Sequence, residues 1–292
     1  MATGTTTTGS LADSLPTMIQ AARLVEEYDM IVPKTVDRQD LPRGQGNTWN
    51  EIRSEQITAQ GITEQTINEN FQQFEDTLFS VTPGMVQVCY RITDKTFRRP
   101  ASHAAALLGK GGQLAMNRKL DQDGISQYAN FGTTLAGTAT TLVSGHIAAG
   151  VARIKSNTTE TGMGAGPIHA VLHGFGIKDL EDEIKQGIGT YVVGPGMTES
   201  FYKQGFSGMV AGANVWWGGN ITADATPDAR GAIYDQRALV LVRELELKTE
   251  KQRFPGVGGG ADAVYLTSGY AYGERRDAWG FGIQHDATVP TS

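Results

Sequence analysis

Two histidines four residues apart, His169 and His173 in HAVLH, are the first residues whose types and spacing could do chemistry. Imidazoles at such a spacing can share a zinc ion when a third ligand and an open position complete the site. No HExxH surrounds them, and on a strand the two point to one face but stand well apart. Two structural histidines are the simpler reading. GKGG at 109–112 sets a lysine among glycines but lacks the frame of a phosphate loop and the Ser/Thr that would hold magnesium. GMGAG at 162–166 follows no convincing strand, which a dinucleotide site requires. Cys89 lies in MVQVCYRI, an apolar strand in which a buried, inert thiol is expected. Glu181, Asp182 and Glu183 read as the solvated face near a helix N-terminus. No GxSxG turn is present. No residue is therefore assigned a catalytic, cofactor-binding or metal-ligating role, and the expectation is a non-enzyme without a cofactor.

The elements that would position such residues carry more information. Residues 1–13, with MATGTTTTGS at their head, have no core-forming side chain before Leu11 and read as an arm. SLPTMIQAARLVEEY (14–28) has a helical period, and DMIVPKTV after it reads extended because of Pro33. TWNEIRSEQIT and TLFSVTPGMVQVCYRIT read as strands flanking a polar excursion, 59–76, too poor in apolar residues to bury itself. Its expected stabilisation comes from another molecule. Pro100 opens a helical pattern through Leu107, Leu108, Leu114 and Leu120, and Gly109, Gly111 and Gly112 interrupt it. Each glycine costs about 1 kcal/mol relative to alanine, so either the helix kinks there or two helices meet.

Farther on, 139–155 reads as a helix with Val143, Ile147, Val151 and Ile154 on one face. GPIHAVLHG is a strand bounded by glycines, and KDLEDEIKQG a helix that buries Leu180 and Ile184 and stops at Gly187. GFSGMVAGANVWW (205–217) alternates like one strand, with Gly208 and Gly212 keeping a face flat for close packing. Strands dominate the remainder: Leu239, Leu241, Leu245 and Leu247 share a parity, PGVGGG turns the chain, and Val264, Leu266, Tyr270 and Tyr272 alternate.

Composition agrees with this α+β reading. Glycine, 37 of 292 residues, is about 13 %, nearly twice the usual share of roughly 7 %, and argues for many turns and close backbone contacts. The net charge of −6 argues against gripping nucleic acid through a basic surface, though not against enclosing it. One cysteine excludes intrachain disulfides. The N-terminus lacks the plan of a signal peptide and no apolar run is long enough to span a membrane, so cytosolic synthesis is expected.

The order of the parts is similar to that of the major capsid proteins of tailed bacteriophages, the Hong Kong 97-type fold. The resemblance rests on ITDKTFRR leading into RRPASHAAALL, on GPIHAVLHGFGIKDLEDEI, on GFSGMVAGANVWWGGN and on GAIYDQRALVLV. It implies an N-terminal arm at 1–43, an extended loop at 44–90 lying over a neighbouring subunit, and a peripheral domain with its spine helix at 91–135. The axial domain would occupy 136–230, and 231–292 would return strands to both domains. The implied function is self-assembly, as hexamers and pentamers, into an icosahedral shell around double-stranded DNA in the virion, after synthesis in the host cytoplasm. A portal and a separate scaffolding protein are implied partners, the latter because the fold-like part begins within about 40 residues of Met1; a decoration protein is a further candidate. No Lys–Asn pair for interchain isopeptide bonds maps onto the sequence. An encapsulin-like compartment shell of the same fold is the alternative, and a glycine-rich nucleotide enzyme the alternative from another class.

Overall fold

The computed structural model describes residues 5–6, 29–54, 57–65, 67, 71–73, 76–95, 103–157, 166–188 and 208–291; the side chains of 5–6, 54, 103–109 and 184–188 are not described. The expected helix at 14–28 and most of GMGAG lie outside these residues. Two sheets carry the architecture. The first has the order β1-β5-β12-β11-β2, built from β1 (Thr5–Thr6), β2 (Asp37–Asp40), β5 (Gly84–Thr93), β11 (Leu239–Phe254) and β12 (Ala261–Glu274). The second has the order β6-β13-β10-β7-β9-β8, from β6 (Thr134–Ala136), β7 (Ile168–Leu172), β8 (Met209–Val210), β9 (Ala213–Trp217), β10 (Asp228–Asp235) and β13 (Gly280–Asp286). A two-stranded ribbon, β3 (Trp49–Ser54) with β4 (Asp76–Val81), is hydrogen-bonded to neither sheet.

The first sheet is backed by a helix that the glycines do not break. Helix α2 (His103–Ser126) runs continuously through Gly109–Gly112, so two helices do not meet there. The reason is tertiary packing. A Cβ on Gly112 would come within 3.0 Å of Leu266 on β12, and one on Gly124 within 2.5 Å of Val32. Glycine thus lets the helix sit close to the sheet, and that packing offsets the loss of helix propensity.

Pro33 does not keep its segment extended. It occupies the first turn of a short helix, α1 (Val32–Thr35), where a proline forfeits no intrahelical hydrogen bond. The buried Asp121 of α2 caps that turn, accepting from the Ile31 and Val32 N–H groups at 2.8 Å each, and its other oxygen accepts from Asn220 Nδ2 at 2.7 Å. A buried carboxylate is tolerable here because three donors satisfy it.

The second sheet buries one face under α3 (Ser144–Lys155) and α4 (Gly174–Ile188), and its other face packs toward the first sheet. Ile147, Val151 and Ile154 of α3 and Ile177 and Leu180 of α4 close on Ile168, Ala170, Leu172, Ile233 and Ile283. Helix α4 begins at Gly174 and passes through Gly187, so that glycine is not its stop. β7 is buried at every position, as expected of a strand covered on both faces. Between the two sheets, the buried Tyr234 hydroxyl lies 2.6 Å from Thr35 Oγ1 and 3.2 Å from Tyr128 Oη.

Candidate functional site

The β3–β4 ribbon carries one face that the described residues leave uncovered. Its strands pair antiparallel from Trp49↔Val81 to Ser54↔Asp76, and alternation divides the side chains into two faces. On the inner face Trp49 meets Phe79 edge-on, and the Arg53 guanidinium lies 4.7 Å from the Phe79 ring centre. Phe79 and Val81 rest on Gly273 of β12, where a Cβ would come within 2.5 Å of Val81. No larger residue could seat the ribbon so closely.

Arg275 fastens this root. Its Nε donates to Glu51 of β3 at 2.8 Å, its Nη2 to Asp37 of β2 at 2.9 Å, and its Nη1 to the Arg237 carbonyl at 3.2 Å. The guanidinium is buried while both carboxylates are partly solvated, a fork geometry that lysine cannot reproduce.

The outer face is bare. Ile52 and Leu78, directly opposite each other, are 68 % and 62 % exposed. Beyond the paired strands, Ile57, Ile62, Ile67 and Phe71 are exposed as well, Phe71 to 91 %. Gln72 clips the excursion together, its Oε1 accepting from the Thr58 N–H at 2.8 Å and its Nε2 donating to the Thr58 carbonyl. From 54 to 90 the sequence has Glu55, Glu64, Glu69, Glu75 and Asp76 and no Lys or Arg. Among the described residues the projection therefore presents exposed apolar side chains beside Glu64 and Asp76, a surface that fits a macromolecular contact. An open groove of about 500 Å³, lined in part by Leu41, Arg43, Met85, Leu245 and Lys248, lies beside its base.

Next to Arg275 is a carboxyl pair. Burial, followed by the charge and hydrogen bond of Asp277, pushes the Glu274 carboxyl up to about 7, against the opposing pull of Arg53. Glu274 Oε1 is buried without a hydrogen-bond partner, whereas Asp277 accepts from the Gly132 N–H at 2.5 Å. The sequence reading passed over this site: YGERRDAW looks like an ordinary charged turn, and the residues that meet it come from about 220 positions earlier.

The residues weighed in the sequence fall elsewhere. His169 Nδ1 accepts from Trp216 Nε1 at 3.0 Å, and His173 Nδ1 accepts from the Phe175 N–H at 3.2 Å at the start of α4. Among the described residues no three His, Cys, Asp or Glu side chains group to hold a metal. GKGG lies inside α2, which disposes of a phosphate loop at that position because the backbone N–H groups serve the helix. Cys89 is exposed, contrary to the buried thiol expected, because it belongs to the β5 face turned away from α2. Glu183 is more than a solvated acid: it caps α3, accepting from the Ser144 N–H at 2.6 Å and Oγ at 2.9 Å. Asp182 accepts from Lys178.

GFSGMVAGANVWW is not one strand. β8 and β9 form a hairpin, Val210 pairing with Ala213, and Ala211 and Gly212 between them have φ of +51° and +90°. Two consecutive positive φ values fit a two-residue turn matched to strand twist. The close-packing role expected of Gly208 and Gly212 is thereby corrected: nothing lies within 4 Å of a Cβ on Gly208, and only Lys155 Nζ, at 3.5 Å, near one on Gly212.

No family model and no curated protein matches the sequence. Solved structures do match. One from Mycobacterium phage Che8 is 14 % identical with a TM-score of 0.69, over 90 % of this chain and 95 % of that one. The capsid structure of the cyanophage P-SCSP1u is 10 % identical with a TM-score of 0.70, over 97 % and 96 %. The holo-SrpI encapsulin complex from Synechococcus elongatus PCC 7942 is 9 % identical with a TM-score of 0.62, over 94 % and 95 %. Two sheets, a long helix laid across one of them, a projecting ribbon and a likeness spanning at least nine-tenths of each chain lead to one conclusion: this protein has the α+β Hong Kong 97-type capsid fold.

Proposed function

We propose that the protein is the major capsid protein of a tailed phage, assembling with copies of itself into an icosahedral shell that encloses double-stranded DNA. The observation that carries this reading is the ribbon, whose apolar outer face and excursion find no cover among the described residues. On this reading 44–90 is the extended loop, laid over a neighbouring subunit. The five-stranded sheet with α2 is the peripheral domain and the six-stranded sheet with α3 and α4 the axial one. Residues 231–292 complete both, as β11 and β12 join the first sheet and β13 the second. The role is structural rather than enzymatic. The net charge of −6 suits a container that encloses DNA without holding its sequence, and the virion is its location. A scaffolding protein, a portal and a decoration protein are the further partners of this reading. No helix among the described residues is long and apolar enough to cross a membrane.

Deleting 55–75 tests the proposal. The shortened chain should fold, since both sheets lie outside the deletion, but should not close shells under the electron microscope, whereas the full chain should. Normal particles from the deletion variant would remove the loop from assembly. Shells that hold a protein cargo in place of DNA would move the reading to an encapsulin compartment of the same fold.

A further inference from the structure

Where α2 meets the second sheet, an open pocket of about 360 Å³ is lined by the end of that helix, by 220–222 and by β10. Arg230 of β10 is the single charged residue in its lining. This arginine is partly buried, and among the described residues it has no carboxylate partner. Its Nη2 donates to Thr134 Oγ1 at 3.2 Å and to the Ala129 carbonyl at 3.4 Å, both near the outer limit of a hydrogen bond. Its Nε is buried with no acceptor. The acids on the adjoining turn of α2 are engaged elsewhere. Asp121 is held by three donors, and Asp123 accepts from Lys119 at 2.6 Å and from Tyr270 at 2.9 Å. A guanidinium withdrawn from water in this way is short of the acceptors that a bound anion would supply.

We propose that this pocket binds a carboxylate carried on a short apolar stem, with Arg230 as the residue that takes the charge. A planar guanidinium offers paired N–H donors that match the two oxygens of a carboxylate. On the rim, the Gln122 amide and the Thr222 hydroxyl make no hydrogen bond among the described residues and add donors. Ile125, Ile221 and Ala129 supply apolar wall for the stem. One cation balances one negative charge, whereas phosphate would set further charge and oxygens against those walls. The volume suits a molecule of a few carbons or one acidic side chain, and junctions between packed units are where such pockets collect. The carboxylate belongs either to a free aliphatic acid or to an Asp or Glu side chain of a second copy, and competition separates the two sources. The site belongs to the single chain and does not depend on the capsid reading.

Equilibrium dialysis of the full-length chain against labelled butyrate, at constant ionic strength, tests it. Butyrate should bind saturably, and neither butyramide, which has the same shape without the charge, nor inorganic phosphate should displace it. Arg230→Gln should weaken binding by about 10- to 100-fold. Thr222→Glu, a change on the exposed rim, should weaken it as well by placing a fixed carboxylate in the pocket. Sedimentation of the same samples identifies the source. Butyrate and Arg230→Gln should each lower self-association if a second copy carries the carboxylate, and leave it unchanged if the ligand is free. Equal binding by the wild type and Arg230→Gln overturns the site, as does displacement by butyramide or phosphate. Absence of butyrate binding, with Arg230→Gln sedimenting like the wild type, overturns it too. Should Arg230→Gln fail to fold, Thr222→Glu decides.

Discussion

Gly212 shows how one residue separates two accounts of the same sequence. Its φ of +90° lies where a β-branched side chain is strained, yet the space around it is nearly empty. If the backbone matters, Gly212→Asn should be accepted, because asparagine tolerates the left-handed region, and Gly212→Val should not. The strain of about 1–3 kcal/mol would quicken amide exchange at 209–217 by roughly 5- to 150-fold. If space were what mattered, both variants would suffer according to size. Equal exchange in the Val variant and the wild type would end the turn account. The alternation in GFSGMVAGANVWW was legible in the sequence, but it cannot distinguish one strand from two short ones joined by a tight turn. The backbone angle that decides has no signature beyond Ala-Gly.

Among the elements, the ribbon was legible and its seat was not. Strand-like flanks around a polar excursion mark β3 and β4 directly, because alternation is a local property. The seat depends on Gly273 and Arg275, and nothing local marks a glycine or arginine as the partner of residues so distant in the chain. The same holds for α2, where propensity weighs Gly109–Gly112 as breakers and only the sheet underneath makes Gly112 useful. Arg275→Ala should therefore release the ribbon while sparing both sheets. Removing the buried member of this ion network leaves Glu51 and Asp37 without their shared cation and should cost about 2–4 kcal/mol, the lower part of the range reflecting their partial solvation. Proteolysis within 49–81 should speed up well before thermal unfolding of the body. Arg275→Lys should behave more like Ala than like the wild type, since it cannot serve three acceptors in one plane. Cleavage of Arg275→Ala at the wild-type rate would show that the apolar contact on Gly273 suffices.

For the whole molecule, protonation acts on the two ends of the fold with opposite sign. Burial holds His169 below the ordinary imidazole value of 6.5, opposed by Asp235, and also lowers His173, aided by the nearby His285. Below pH 6.5 the unfolded chain then binds more protons than the folded one, so these groups remove stability as the pH drops. Glu274 does the reverse, its contribution complete below 4.5 and lost as the pH rises through about 7. The histidines' share of the urea midpoint should therefore decline on the acid side of 6.5 against the gain from Glu274, and a His169→Gln/His173→Gln variant should decline less, or rise more, than the wild type. An identical acid slope in that variant would assign the decline to other groups. Topology has a consequence for synthesis too. In the five-stranded sheet only β11 and β12 are neighbours along the chain; β1, β2 and β5 pair with strands that begin at Leu239 or later or, for β1, with a strand 86 positions downstream (Thr5 on Arg91). A ribosome therefore releases the ribbon, with the inner face of Trp49, Phe79 and Val81 uncovered, long before it has made the glycine and arginine on which that face sits. For most of translation the nascent chain carries a sticky hairpin without a seat, a client for the chaperones of the cell that makes it.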